Sequence, residues 1–154
     1  MSRPRLTPIT AASLPTAAYR TPRRIRFSDC DPAGIAYTPR IVDLMNGAIE
    51  DAFPARLGLD YHAWIRDRRI GLGYARVDCD FFQPLAMGDE IMITVLIAGV
   101  GVASTTWRVH LHNGDREAAR GELVMVTTDL DRHRVAPLPP PLREAFSAYL
   151  TDCG

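Results

Sequence analysis

One change of period constrains this chain more than any other feature. Ile41, Leu44, Met45, Ala48, Ile49, Ala52 and Phe53 recur at helical spacing and form one wide apolar stripe. From Ile70 onward the period becomes two. Four strand candidates follow, at about residues 72–83, 89–99, 102–112 and 118–130. Gly88-Asp89, Gly99–Gly101 and Asn113-Gly114-Asp115 punctuate them, and the last is a hairpin signal. Upstream, Tyr19–Ser28 reads as a first strand in which Ile25 and Phe27 alternate with Arg24, Arg26 and Ser28. A helix with one apolar face must bury that face, and a sheet of five antiparallel strands offers the surface to do so. The fold class predicted is therefore α+β, with no internal repeat. Residues 137–141 are proline-rich, and a short helix over residues 141–150 closes the chain.

The long helix begins behind an acid-bearing turn, Phe27–Phe53 reading FSDCDPAGIAYTPRIVDLMNGAIEDAF. Asp31 precedes Pro32, which pushes its backbone towards an extended conformation, and Gly34 allows the chain to reverse. Thr38 reads as the N-cap and Pro39 as the first helical residue. A carboxylate just ahead of a helix N-terminus, where free N–H groups receive developing negative charge, suits acyl transfer. The alternative is that Asp29 and Asp31 only make turn hydrogen bonds, the common task of Asp in loops.

The 154 residues, 47% of them hydrophobic, suit one domain with a substantial core. Zero net charge gives no overall field favouring nucleic acid, and no apolar run reaches membrane-spanning length. All 18 basic residues are arginine, which excludes lysine Schiff-base chemistry and leaves arginine as the phosphate binder. Cys30, Cys79 and Cys153 are odd in number and lack zinc spacing, which suits a reducing, cytoplasmic compartment. Cys30 sits between two acids, which raise its pKa and make it a poor nucleophile. Residues 1–18, broken by Pro4, Pro8 and Pro15, read as a flexible extension ahead of a domain over residues 19–154.

DCDPAGIAYTPR followed by a long helix resembles the Asp-dependent 4-hydroxybenzoyl-CoA thioesterase family of hotdog-fold proteins. The likeness is densest over residues 27–53. It continues through VDCDFFQPLAMGDEI (Val77–Ile91) and APLPPPLREAF (Ala136–Phe146). The resemblance implies a hotdog, a five-stranded antiparallel sheet wrapped around the central helix, and an acyl-CoA thioesterase with no cofactor or metal. It implies that Asp31 is the catalytic carboxylate, as nucleophile or general base, and that Thr38 offers its backbone N–H to the thioester carbonyl. It also implies a homodimer at least, a homotetramer being left open, with Asp31 facing Gly71–Tyr74 of the second copy.

Substrate-binding candidates are Tyr37 beside the acyl group and Gly71, Gly73 and Tyr74 at the start of the second strand. Arg66, Arg68 and Arg69 are candidates for CoA phosphates. For each, an ordinary structural role is the alternative: packing for Tyr37, a bend for the glycines, a solvated end for the arginines. AGVGVAST (Ala98–Thr105) carries no charge where the aryl-CoA enzyme has a basic cluster. An acyl-carrier-protein thioesterase and a non-catalytic acyl-CoA-binding module therefore stand as competing readings. Arg108, His110 and His112 alternate on one strand face; a zinc site there lacks an evident third ligand. Trp64 and Trp107 read as core anchors.

Overall fold

The computed structural model describes residues 3–154. The strands are β1 (Tyr19–Arg24), β2 (Ile70–Phe81), β3 (Glu90–Val100), β4 (Ser104–Asn113), β5 (Arg116–Asp129) and the two-residue β6 (Arg134–Val135). The helices are α1 (Thr38–Ala52), α2 (Tyr61–Arg66) and α3 (Pro140–Cys153). Among the described residues, all strands join one antiparallel sheet in the order β1-β3-β4-β5-β2, with β6 added onto β5. Consecutive strands β3, β4 and β5 are hairpin-connected, and the β4–β5 turn places Gly114 at φ +60° as its Asn-Gly signal requires. Strands β1 and β2 flank this meander from distant parts of the sequence.

Helix α1 lies across the inner face of the sheet because its stripe matches the strands' inward residues. Ile41, Met45, Ala48, Ile49, Ala52 and Phe53 are buried with Ile93, Val95, Trp107, Val109, Leu111, Leu123 and Met125. At Gly121 an added Cβ would stand 2.5 Å from Met45 Sδ, so the missing side chain there makes room for Met45 of the helix. Phe53, Trp107 and Phe146 form an aromatic cluster that ties α3 to the same core, with ring centroids 5.5–5.9 Å apart. Trp107 is fully buried and Trp64 5% exposed, as anchors are. Gly58, in the left-handed region at φ +66°, ends the widened turn that follows α1.

Three local expectations are corrected. The first strand stops at Arg24, because Phe27–Asp29 folds into a tight turn held by the Asp29 carboxylate on the Arg26 N–H at 2.8 Å. Thr38 is the first helical residue and Tyr37 holds the cap position, with no side-chain capping bond, so Pro39 lies one place further in. Of the segment expected to be flexible, residues 1–2 lie outside the described residues, and residues 7–18 make contacts with the outer face of the sheet. Ile9 N–H donates to Glu117 Oε2 at 2.8 Å, Arg120 Nη2 donates to Thr7 O at 3.0 Å, and Leu14 and Ala18 pack on Leu96. Among the described residues no helix is long and apolar enough to cross a membrane.

Candidate active site

The two acids of the turn have different fates. Asp29 is 3% exposed and its carboxylate is fully engaged. Oδ2 accepts from Arg26 N–H at 2.8 Å, and Oδ1 accepts from Arg40 Nη2 at 2.8 Å and Nε at 3.3 Å. Burial alone would raise its pKa. The Arg26 and Arg40 hydrogen bonds outweigh it and hold the group below the usual carboxylate range. Asp29 O also accepts from Tyr37 N–H at 2.8 Å, so this residue fastens the turn to the start of α1.

Asp31 is held differently. Its backbone is clamped, N–H to Ile35 O at 3.1 Å and O from Gly34 N–H at 2.9 Å, with Gly34 at φ +78°. Bridge pairs Cys30–Ala36 and Ile35–Ala86, with Ala36 N–H on Leu85 O at 2.8 Å, fix the loop against the β2–β3 connection. Oδ1 accepts only from Ala33 N–H, at 2.9 Å. Among the described residues Oδ2 has no partner and no cation pairs with the group. Asp31 is thus a half-buried carboxylate on a rigid loop with one oxygen free for other chemistry.

The helix start offers one donor. Pro39 has no N–H, and the N–H groups of Arg40 and Ile41 both donate to Tyr37 O, at 2.8 and 3.1 Å. Among the described residues, the Thr38 N–H is left without an acceptor. The Tyr37 ring is 52% exposed beside it, and Phe27 is 81% exposed nearby in the chain, so the loop presents aromatic surface rather than burying it. Desolvation and then the charges of Asp29 and Asp31 push the Cys30 thiol up, which removes it as a nucleophile.

The remaining candidates lie elsewhere in the protomer. Arg66, Arg68 and Arg69 sit at the start of β2, whereas the Asp31 loop packs beyond that strand's other end. Twelve residues at about 3.3 Å each separate them within one chain. Arg66 pairs with Asp67 at 2.7 Å, Arg68 stacks 4.4 Å over the Trp64 ring, and Arg69 pairs with Asp131 at 3.0 Å. Gly71 makes room for its own chain: a Cβ there would be 2.3 Å from Thr128 Oγ1 and 2.8 Å from Leu130 Cδ2. Gly73 differs, being exposed with open space where a side chain would be. Tyr74 turns inward, its hydroxyl donating to Asn46 Oδ1 at 2.9 Å, and burial pushes its pKa up.

Two arginines carried no sequence signal, one beside the acid-bearing turn and one at the β3–β4 turn. Arg40 lies eleven positions beyond Asp29, and only the fold shows that it neutralises that acid. Arg143, from α3, donates through Nη2 to Gly101 O and Val102 O at 2.9 Å each. It thereby brings a positive charge to the β3–β4 turn, whose own residues have none.

The profile of the thioesterase-like superfamily matches residues 25–146. A protein of Thermosynechococcus vestitus named 1,4-dihydroxy-2-naphthoyl-CoA hydrolase is 28% identical over 130 residues, 83% of this chain and 88% of that one. One of the same name from Rippkaea orientalis is 36% identical over 73 residues, 47% of this chain, which there spans only about half (52%) of the relative's length. Among solved structures, that of the gentisyl-coenzyme A thioesterase BH1999 superposes with a TM-score of 0.75 at 28% identity. It covers 83% of this chain and 99% of its own.

Proposed function

We propose, from the premise that this chain belongs to the thioesterase-like superfamily and has its hotdog fold, that it hydrolyses the CoA thioester of a hydroxylated aromatic acid. Thioester hydrolysis is the reaction that the names of its relatives share, and the acyl groups in those names, dihydroxynaphthoyl and gentisyl, are hydroxylated aromatics. The 4-hydroxybenzoyl group belongs to the same chemical class without being singled out. The observation that carries the reading is the division of labour between the acids: Asp29 is spent on Arg40, and Asp31 keeps an unpartnered oxygen ahead of a helix whose first turn holds one free N–H.

The chemistry follows from those groups. The thioester carbonyl oxygen accepts from Thr38 N–H, and the positive pole of α1 stabilises the charge that develops there. Asp31 then either attacks the carbonyl carbon, expelling the CoA thiolate and leaving a mixed anhydride that water cleaves, or takes a proton from the water that attacks. The products in both cases are the free acid and CoA. A single-turnover reaction in ¹⁸O-water tests the anhydride route, since label enters the Asp31 carboxylate only when water cleaves an anhydride at the Asp31 carbonyl.

The site completes itself in a dimer. Strand β2 is an edge, its outer backbone unpaired among the described residues, with Val77 and Phe81 exposed along it. Pairing two β2 edges antiparallel about a two-fold axis brings the start of one strand beside the end of the other. Gly71–Tyr74 of the partner subunit then lie towards the Asp31 loop, with Gly73 open to the acyl group. A steady-state screen of aryl-, short- and long-chain acyl-CoA tests the reading. The highest kcat/KM is expected for hydroxylated aryl groups, and a preference for long alkyl chains would refute the acyl assignment.

Thr38→Ala is expected to keep most of the turnover, because the backbone N–H survives the change. Since no capping bond exists to lose, stability should fall by less than about 0.5 kcal/mol. A large loss of kcat in the folded variant would transfer the role to the hydroxyl. The triple change Arg66/Arg68/Arg69→Ala is expected to raise KM for acyl-CoA with kcat nearly unchanged, and to flatten the salt dependence of KM. The matching pantetheine thioester, which lacks the nucleotide, is the comparison. If the parent enzyme hydrolyses both equally well, the nucleotide is not read and an acyl-carrier-protein thioester is the better substrate.

A further inference from the structure

We propose that the cavity between the N-terminal segment and the outer face of the sheet is a second binding site, for a small, largely apolar, uncharged molecule that presents an O–H donor to His110. The cavity measures about 500 Å³, within the range of small-molecule sites. Leu6, Ile9 and Leu14 roof it, and Leu96, Ala98 and His110 form part of its floor. It lies on the face of β4 opposite Trp107, Val109 and Leu111, which pack on α1, so it is separate from the Asp31 loop and independent of the function proposed above.

The chemistry of the lining selects the ligand. The charged groups at the cavity are already matched within the protein: Arg108 with Glu122 at 3.0 Å, Arg120 with Glu117 at 2.6 Å, and Arg3 with Asp80 at 3.4 Å. They call for no ionic partner. His110 is 2% exposed, and its Nδ1 lies 2.7 Å from Glu117 Oε1. A carboxylate only accepts, so the proton belongs on Nδ1, and Nε2 is left as an acceptor. Among the described residues Nε2 has no hydrogen-bond partner. Burial lowers the pKa of this imidazole to about 4, so at neutral pH it has no second proton to offer. The chamber is walled in part by Leu6, Ile9, Leu14, Leu96 and Ala98, its charges are paired within the protein, and one imidazole acceptor is open to it. That fits a phenol-like molecule: a ring for the apolar part of the wall and one O–H for Nε2.

The test uses 2-naphthol and 2-methoxynaphthalene, which match in shape but differ in the donor, with calorimetry on the full chain and the ¹⁵N imidazole resonances of His110. 2-Naphthol is expected to bind roughly 3- to 10-fold more tightly, the worth of one hydrogen bond, and to shift the Nε2 resonance. His110→Phe should bind the two compounds alike. Leu96→Trp, which fills the cavity without touching Glu117, should bind neither. An unperturbed His110 resonance, a preference surviving in His110→Phe, or full binding in Leu96→Trp would each overturn the proposal.

Discussion

Replacing Asp31 by Asn is expected to lower turnover by at least about 10²-fold, the usual worth of a positioned acid–base or nucleophilic group, while fold and assembly persist. The amide has the shape of the carboxylate and can still accept from Ala33 N–H through its oxygen, so the Asx turn survives. Only the nucleophile, or base, is removed. Circular dichroism and gel filtration verify the fold, and steady-state kinetics on the best thioester read the effect. Near-parental hydrolysis would dismiss Asp31 as the catalytic carboxylate, whereas a parent protein that binds acyl-CoA and hydrolyses none would favour a binding module. Asp29→Asn is the informative control. It strips the charge from the Arg40 clamp, so it should lower thermal stability and move KM along with kcat, the pattern of a displaced loop.

Glu117→Ala is expected to cost about 3–5 kcal/mol of stability, the range for removing one partner of a buried ion pair. Glu117 is 2% exposed and sits at the centre of a network, taking bonds from Arg120, His110 and the Ile9 N–H. Its loss leaves Arg120 with a largely buried charge and frees the N-terminal segment at Ile9. Urea denaturation measures the change, and a loss under 1 kcal/mol would reduce the network to the worth of a surface pair. The same network makes the fold sensitive to acid. Burial would raise the Glu117 pKa, but bonds from Arg120, Ile9 and His110 hold it low, while burial depresses His110 to about 4. Between the unfolded imidazole value of about 6.5 and that folded value, the unfolded chain binds the proton and the folded chain does not. Stability is therefore complete above about pH 6.5 and falls as the pH drops towards 4. Glu117 adds a further loss below its own unfolded value. Equal denaturation midpoints at pH 7 and pH 5 would contradict this.

What could be read in the sequence is what local contact determines. The stripe of α1, the period-two strands and the Asn113-Gly114 turn are statements about neighbours a few residues apart, and the fold reproduces them. The acid-bearing turn was legible for the same reason. Which of its acids stays unpaired was not legible from local pattern, only from the family resemblance, since Asp29 is neutralised across a turn of helix by Arg40. Gly71 and Gly73 look alike in sequence, yet one is filled by Thr128 and Leu130 and the other is open, a difference set by β5 and the residue after it. The docking of the N-terminal segment depends on Ile9 meeting Glu117, 108 positions away, and no periodicity announces that. Arg143 reaches the β3–β4 turn by the same kind of distant contact.

The strand order has a kinetic consequence. The β3–β4–β5 meander closes through short hairpins, but β1 joins β3 with Arg24 opposite Glu90, and β2 joins β5 with Ile70 opposite Asp129. Such distant closures lose more chain entropy before any contact rewards them, so the meander is the natural nucleus and the flanking strands are latecomers. The Asp31 loop hangs between β1 and the β2–β3 connection, so its order waits on the slowest closures. In pulse-labelled hydrogen exchange, amides of β4 and β5 should gain protection before that of Ala36, and simultaneous protection would speak against this sequence of events. A chain caught midway through folding would then own most of its sheet and none of its chemistry.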